Sequence, residues 1–300
     1  MQIRTMSWKI LLALLFVAVG CRREKGDRTG MASTEELGRL YARQEVNYES
    51  GVFLKPGSQL DGSYPTELMP LIIQQARPGH VTPELGVLGS ADADRWEVDT
   101  GRPVIYAGRS DASIRGQIHE QLVYVWVYAS GGVANRERPS LVQGLRMTIN
   151  DAGYPFVWEV LGDPFPHMIF VSTELEAAAA TEFGQPLPGR RFSIEHDFVE
   201  RRDVAVVRLL ADAPVPMGPF VYLQAATGDV DTIICRCMAS QVDDLFETVE
   251  YDLRPLDELW VEPISDRSPL RSVYGALVEG PRAQPTWLEN SLRIPAGSPE

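Results

Sequence analysis

The chain has 300 residues, of which 44% are hydrophobic and 23% are charged, and its formal net charge is −13. These proportions are ordinary for globular proteins, so they exclude a wholly disordered chain. The excess of acidic residues opposes binding to phosphate backbones, which argues against nucleic acid as a partner. Only three cysteines occur, too few for a disulfide-stapled scaffold, so the fold depends on its hydrophobic core.

The first twenty residues have the pattern of a signal peptide. Arg4 and Lys9 provide a positive flank, and residues 10–19 follow as an uncharged, mostly aliphatic run. A membrane-spanning helix needs about 20 apolar residues, so this run is too short to cross a bilayer.

The last residues of this segment are Ala18, Val19, Gly20 and Cys21. They resemble the lipobox of bacterial lipoproteins, in which cleavage falls before the cysteine and the cysteine receives fatty acyl chains such as palmitate. The resemblance implies a protein without residues 1–20, held on the extracytoplasmic side of the cell envelope by lipid on Cys21. Loss of the leader removes two positive charges, which changes the net charge from −13 to −15. In the alternative interpretation Cys21 is incidental, at an ordinary cleavage site or in an uncleaved signal anchor.

The rest of the chain divides into three parts. Residues 21–32 are charged and rich in turn-forming residues, which is typical of a flexible tether. Residues 33–260 carry the periodic apolar patterns of one main α+β domain. Residues 261–300 are rich in proline, which predicts an extended segment that runs over the surface.

Helix patterns come first in the main domain. Ser33 and Glu36 have the spacing of a capping box, which predicts a helix that ends near Gly51. Residues 66–76 predict a second helix from their apolar spacing. A third, Ala-rich helix is predicted over residues 174–183, opened by a capping box of Thr173 and Glu176.

Strand patterns with a period of two dominate the region after residue 103. The predicted strands cover residues 104–107, 122–128, 145–149, 154–161, 168–171, 192–198, 204–210, 220–224 and 230–237. The loop at 150–153 predicts a hairpin between two of them, with helix as the alternative for residues 141–150. The fold class predicted is therefore α+β, a mainly antiparallel sheet with N-terminal helices and one Ala-rich helix between strands.

Cys235, Cys237 and Met238 form the most distinctive cluster of reactive side chains. Alternate residues of a strand lie about 6.6 Å apart, near the upper limit for a disulfide, so a Cys235–Cys237 bond needs a bulge or turn. Three interpretations stay open: two buried, unreactive thiols; a redox-labile disulfide; or a soft-metal site for copper(I) or zinc that uses both thiolates and Met238.

The histidines give no catalytic pattern. His196 lies on the apolar face of a predicted strand, which favours a core imidazole, and His119 and His167 lack partners at a recognisable spacing. The familiar hydrolase, phosphate-binding and dinucleotide motifs are also missing. The sequence therefore predicts a lipid-anchored envelope protein with a binding or structural role, no cofactor and no evident catalytic centre. The alternative is thiol-redox or soft-metal handling by Cys235 and Cys237.

Overall fold

A computed structural model describes residues 33–42, 50–58, 62–76, 84–92, 95–129, 141–162, 166–224, 227–235, 246–260, 264 and 268–296. Its strands are β1 (Gly51–Pro56), β2 (Leu71–Gln75), β3 (Val87–Asp92), β4 (Arg95–Asp99), β5 (Val104–Ile114), β6 (Gln117–Val127), β7 (Val142–Ile149), β8 (Pro155–Leu161), β9 (His167–Ser172), β10 (Val204–Leu210), β11 (Pro219–Leu223), β12 (Val230–Cys235) and β13 (Glu247–Pro255). Its α-helices are α1 (Thr34–Ala42), α2 (Thr173–Phe183), α3 (Arg271–Tyr274) and α4 (Trp287–Ser291). The leader, the tether and Cys21 lie outside the described residues.

Most of the described chain is sheet, and most strand pairs are antiparallel, as the sequence predicts. Eleven of the described strands form one sheet in the order β10-β9-β8-β7-β6-β5-β13-β1-β2-β11-β12. The pairs β9–β10, β5–β13, β1–β13 and β2–β11 are parallel, so the sheet is mixed. Strands β3 and β4 form a separate antiparallel pair.

The large sheet curls into a nearly closed barrel. Its edge strands β10 and β12 approach each other, although they are not paired as neighbours in the sheet. Side chains fill the interior, among them Leu122, Tyr124 and Trp126 of β6, which are fully buried. Burying an aliphatic or aromatic side chain of this size contributes about 1.5–3 kcal/mol, so the packed interior is a main source of stability. We call the line where β10 meets β12 the seam.

The outer face of the sheet is covered as well. Leu175 and Ala179 of α2 pack against the outer side chains of β8–β10, and Leu270 and Val273 pack against β5 and β6. Strand β6 is therefore buried on both faces from Gln121 to Val127, which accounts for the continuous apolar run of its sequence. Within the described ranges, no helix combines the length and the apolar composition needed to cross a membrane.

The predicted hairpin is confirmed, because β7 and β8 pair antiparallel across the turn at residues 150–154. A β-bulge shifts the register between Thr148 and Ile149. Phe156 consequently packs with the outer cluster, whereas Trp158 and Val160 pack in the interior. The alternation predicted for β8 is broken by this one extra residue.

The predicted helix at residues 66–76 is wrong. A single 3-10 turn covers Thr66–Leu68, and residues 71–75 form β2. Ile72 and Ile73 point to opposite faces and are both fully buried, since Ile72 packs in the barrel interior and Ile73 packs with Phe53 and Phe220 on the other face. Burial on two faces produces a continuous apolar run, and such a run fits helical spacing by coincidence.

The predicted strand at residues 192–198 is also wrong, because this stretch forms turns around a buried carboxylate. Glu195 is 2% exposed and accepts hydrogen bonds from the backbone N–H groups of Arg191, Phe192 and Val206 and from the hydroxyl of Tyr41. Its side chain also faces the buried guanidinium of Arg190. Glu195 thus satisfies local backbone groups that a strand ladder would have used.

Helix α2 has the predicted length, but its N-cap differs from the prediction. The hydroxyl of Ser172 accepts the hydrogen bond from the N–H of Leu175, and the carboxylate of Glu176 accepts from the N–H groups of Ser193 and Ile194 instead of capping its own helix. Glu176 therefore ties α2 to the turns around Glu195.

Much of the described C-terminal region is helical rather than extended, in contrast to the prediction. Residues 271–291 contain short helical turns, including α3, a π-helical turn at Gly275–Glu279 and α4. Trp287 and Leu288 are buried against the outer face of the sheet. Residues 261–263, 265–267 and 297–300 lie outside the described residues.

Candidate functional site

Of the cysteines predicted to form a redox or metal site, only Cys235 lies in a described element of the structure. Cys235 is the last residue of β12, and its side chain is outside the described set, as are Cys237 and Met238. In the described part of the chain, no group of three or more histidine, cysteine, aspartate or glutamate side chains could hold a metal ion. The thiol-redox and soft-metal interpretations stay predictions from the sequence.

The described histidines lie in three separate environments. His119 is 5% exposed and contacts the ring of Phe156 edge to face, with ring centroids 5.3 Å apart. His167 begins β9 beside Arg282, and His196 is part-buried beside Glu200 rather than in the core position predicted for it. His80 lies outside the described residues. The described histidines thus do not converge on one site.

A cavity of about 310 Å³ opens at one end of the seam. Leu210 of edge strand β10 and Ile234 of edge strand β12 both line it. The rest of the wall comes from the β7–β8 turn, the first residues of β8, the start of α2 and the loop between β10 and β11. We call this space the seam cavity. It lies at the mouth of a barrel, a common place for ligand sites.

Aromatic and other apolar side chains form most of the wall. Tyr154, Phe156 and Trp158 line one side, and Met217 and Pro219 face the cavity from the β10–β11 loop and the start of β11. Phe156 and Trp158 belong to two different packing clusters, and both line the cavity. This wall suits a ligand with an apolar or aromatic body.

Hydrogen bonds hold the two loops at the mouth. Asn150 accepts from the N–H of Tyr154 at 2.8 Å, which fixes the β7–β8 turn, and Gly153 in that turn has a φ of 86°. The hydroxyl of Tyr154 donates to the carbonyl of Pro214 at 3.4 Å, which joins the turn to the β10–β11 loop. The mouth is therefore built before any ligand arrives.

The β10–β11 loop is anchored on its other side as well. The N–H of Gly218 donates to the carbonyl of Glu67 at 2.7 Å. A Cβ at Gly218 would lie 2.3 Å from the carbonyl oxygen of Leu68, so only glycine permits this approach. The loop that carries Met217 is thereby held against the Thr66–Leu68 turn.

Polar groups are few and are placed at the rim. Asp212 accepts hydrogen bonds from the hydroxyl of Thr173 and from the N–H of Glu174, so its carboxylate is fixed at the start of α2. The Glu174 carboxylate lines the same rim and is exposed. Trp158 is 6% exposed, and its indole N–H has no hydrogen-bond partner in the described part of the chain.

A second polar cluster lies on the outer face of the sheet. Glu159, 1% exposed, accepts two hydrogen bonds from Arg146 at 2.6 and 2.8 Å and one from the indole of Trp287 at 2.7 Å. Arg282 lies 3.7 Å from the same carboxylate and donates to the carbonyl of Val160. Burial alone would raise the pKa of Glu159, but the two guanidinium groups outweigh it and lower that pKa below its ordinary value. This cluster attaches the C-terminal helices to the sheet.

His167 borders the outer cluster. Its Nδ1 lies 3.1 Å from a guanidinium nitrogen of Arg282, so Nδ1 accepts and the imidazole is neutral. Burial, reinforced by the charge of Arg282, lowers the pKa of His167 to about 4. The arrangement accounts for a structural role of His167 without any reacting partner.

Sequence reasoning did not predict the seam cavity. Its wall comes from five separated stretches of the chain, and the loop that contains Asp212 and Met217 has no periodic pattern. The one available signal is the alternate spacing of Tyr154, Phe156 and Trp158 within the strand predicted over residues 154–161. No protein-family model matches the chain, and no curated protein or solved structure matches it either.

Proposed function

We propose that the chain is a bacterial envelope lipoprotein that binds a small, largely apolar molecule in the seam cavity. The signal-peptide pattern and the lipobox resemblance at Cys21 support the location. The cavity supports the binding role, since a preformed, mostly apolar space with a few polar groups at its rim is typical of small-molecule sites.

The observation that carries the binding role is the wall formed by Tyr154, Phe156, Trp158 and Met217 around about 310 Å³. A purely structural barrel gains by filling such a space, because apolar cavities destabilise the core. Here hydrogen bonds fix the two loops at the mouth of the cavity.

Filling the cavity tests the binding role. N-Phenyl-1-naphthylamine is a neutral aromatic probe whose fluorescence rises in apolar surroundings, and we expect it to bind the purified full-length protein. Ala213→Phe places a ring among the lining residues, so we expect its affinity for the probe to fall at least about tenfold, equivalent to 1.4 kcal/mol. Fluorescence titration measures the change.

Ala180→Phe is the matched control. Ala180 is exposed on α2 and does not line the cavity, so the same substitution there should leave probe affinity unchanged. Equal probe affinity in the Ala213→Phe variant and the control, or no probe binding by the unaltered protein, would contradict the proposed binding role.

The anchor has its own test. We expect mass spectrometry of the protein from its native cell to find Cys21 as the first residue, with fatty acyl chains attached. More than one chain is expected, because a single acyl chain gives only reversible membrane binding. An unmodified Cys21, or a mature protein that begins elsewhere, would contradict the anchoring proposal and leave the cavity proposal standing.

A further inference from the structure

The described charged residues that line the seam cavity are all acidic. Asp212 and Glu174 line it, and none of the described lining residues is lysine, arginine or histidine. The formal net charge of the whole chain, −13, adds to the negative potential at this rim. A cavity with apolar walls, in which carboxylates are the only charged groups, discriminates by charge among ligands that share the same apolar body.

The start of α2 reduces this negative potential without cancelling it. A helix N-terminus carries about half a positive charge, whereas the two carboxylates carry about two negative charges at neutral pH. Asp212 already uses one carboxylate oxygen, Oδ2, for Thr173 and for the N–H of Glu174. Asp212 and the exposed Glu174 are the two acidic residues of the lining.

The aromatic wall complements the same charge. Tyr154, Phe156 and Trp158 place three aromatic side chains around one small space, and a cation over an aromatic face is attracted by it. An anion gains nothing from ring faces and is repelled by the carboxylates. Ring faces and rim charges therefore favour the same class of ligand.

The geometry points to an organic cation as the ligand of the seam cavity: an amine or quaternary ammonium attached to an apolar, preferably aromatic, body. The body lies among Phe156, Trp158 and Met217, and the cationic group lies at the rim beside Asp212 and Glu174. This inference rests on the proposed function, because it names the ligand class for the same cavity.

Three molecules that share a phenylbutyl group and differ in the charge of their terminal group test the inference. 4-Phenylbutylamine is a cation at neutral pH, 4-phenylbutanol is neutral and 4-phenylbutyrate is an anion. With the purified full-length protein at low ionic strength, we expect NMR titration to give the amine about tenfold higher affinity than the alcohol. The carboxylate should bind more weakly than the alcohol, and the preference for the amine should shrink as salt is added.

The double variant Asp212→Asn, Glu174→Gln tests the residues. We expect its affinity for the amine to fall about fivefold, because exposed carboxylates attract a cation only weakly in water. Its affinity for the alcohol should not change, which also shows that the cavity is still folded. The control Asp111→Asn, Glu247→Gln removes two exposed carboxylates that do not line the cavity, so it makes the same change in net charge and should keep the preference for the amine.

The outcomes separate this inference from the proposed function. Equal affinities for amine and alcohol, or a preference for the amine that stays near tenfold in the double variant, would overturn the organic-cation inference while the cavity remained a binding site. If none of the three molecules bound, both would be overturned. An equal loss of amine preference in the control would assign the effect to net charge, which also overturns the role given to Asp212 and Glu174.

Discussion

Replacing Glu159 by glutamine is expected to lower the free energy of unfolding by about 3–5 kcal/mol. Glu159 is the shared counter-charge for two buried guanidinium groups, those of Arg146 and Arg282. Glutamine has nearly the same shape but carries no charge. Its amide N–H₂ also places hydrogen-bond donors against the N–H groups that now donate to Glu159. Removing one partner of a buried ion pair is costly because the remaining charge stays out of water.

Chemical denaturation at neutral pH measures this change. Glu258→Gln is the control, because Glu258 pairs with Arg254 at 3.4 Å on the surface and such a pair is worth about 0–1 kcal/mol. Limited proteolysis adds a second readout: release of the C-terminal helices would expose Trp287, whose indole donates to Glu159. A Glu159→Gln variant within 1 kcal/mol of the unaltered protein would show that the outer cluster does not hold the C-terminal helices in place.

The free energy of unfolding is expected to depend on pH through His167. The pKa of His167 falls to about 4 in the folded protein, compared with about 6.5 in an unfolded chain. Between these values the unfolded chain binds a proton at His167 that the folded chain does not bind, so stability decreases as the pH falls. At about 1.4 kcal/mol per unit, lowering the pH from 8 to 5 should cost roughly 2 kcal/mol through His167.

His167→Gln isolates this contribution, because glutamine keeps an oxygen acceptor for Arg282 and does not titrate. The variant should lose about 2 kcal/mol less stability than the unaltered protein between pH 8 and pH 5, as measured by denaturation at each pH. His196→Gln should have a smaller effect, since burial lowers the pKa of that part-buried group less strongly. Parallel stability curves for the His167→Gln variant and the unaltered protein would contradict the neutral state assigned to His167.

The sequence predicted the parts of the fold whose patterns are local. The β7–β8 hairpin and helix α2 were predicted because turn residues, a period of two and an alanine-rich run identify such elements within one short stretch. The predictions at residues 71–75 and 192–198 are wrong because those structures depend on contacts with distant parts of the chain. Burial on both of its faces gives β2 a helix-like run, and the Val206 N–H and the Tyr41 hydroxyl, which are distant in the chain, help Glu195 replace a strand ladder.

The seam cavity could not be predicted for the same reason. Leu210 and Ile234 meet only because the sheet curls until its edges approach, and sheet order is not encoded in any single segment. Asp212 becomes part of the rim through the start of α2, whose residue Thr173 is 39 positions away in the chain. The predicted site residues Cys21, Cys237 and Met238 lie outside the described residues, so their roles remain predictions.

Binding in the seam cavity is the central claim, and a crystal structure of the protein with N-phenyl-1-naphthylamine bound tests it most directly. We expect density for the probe between Phe156, Trp158 and Met217, with Asp212 at the rim. Density for the probe at another place on the protein, with the seam cavity holding only water, would contradict the claim.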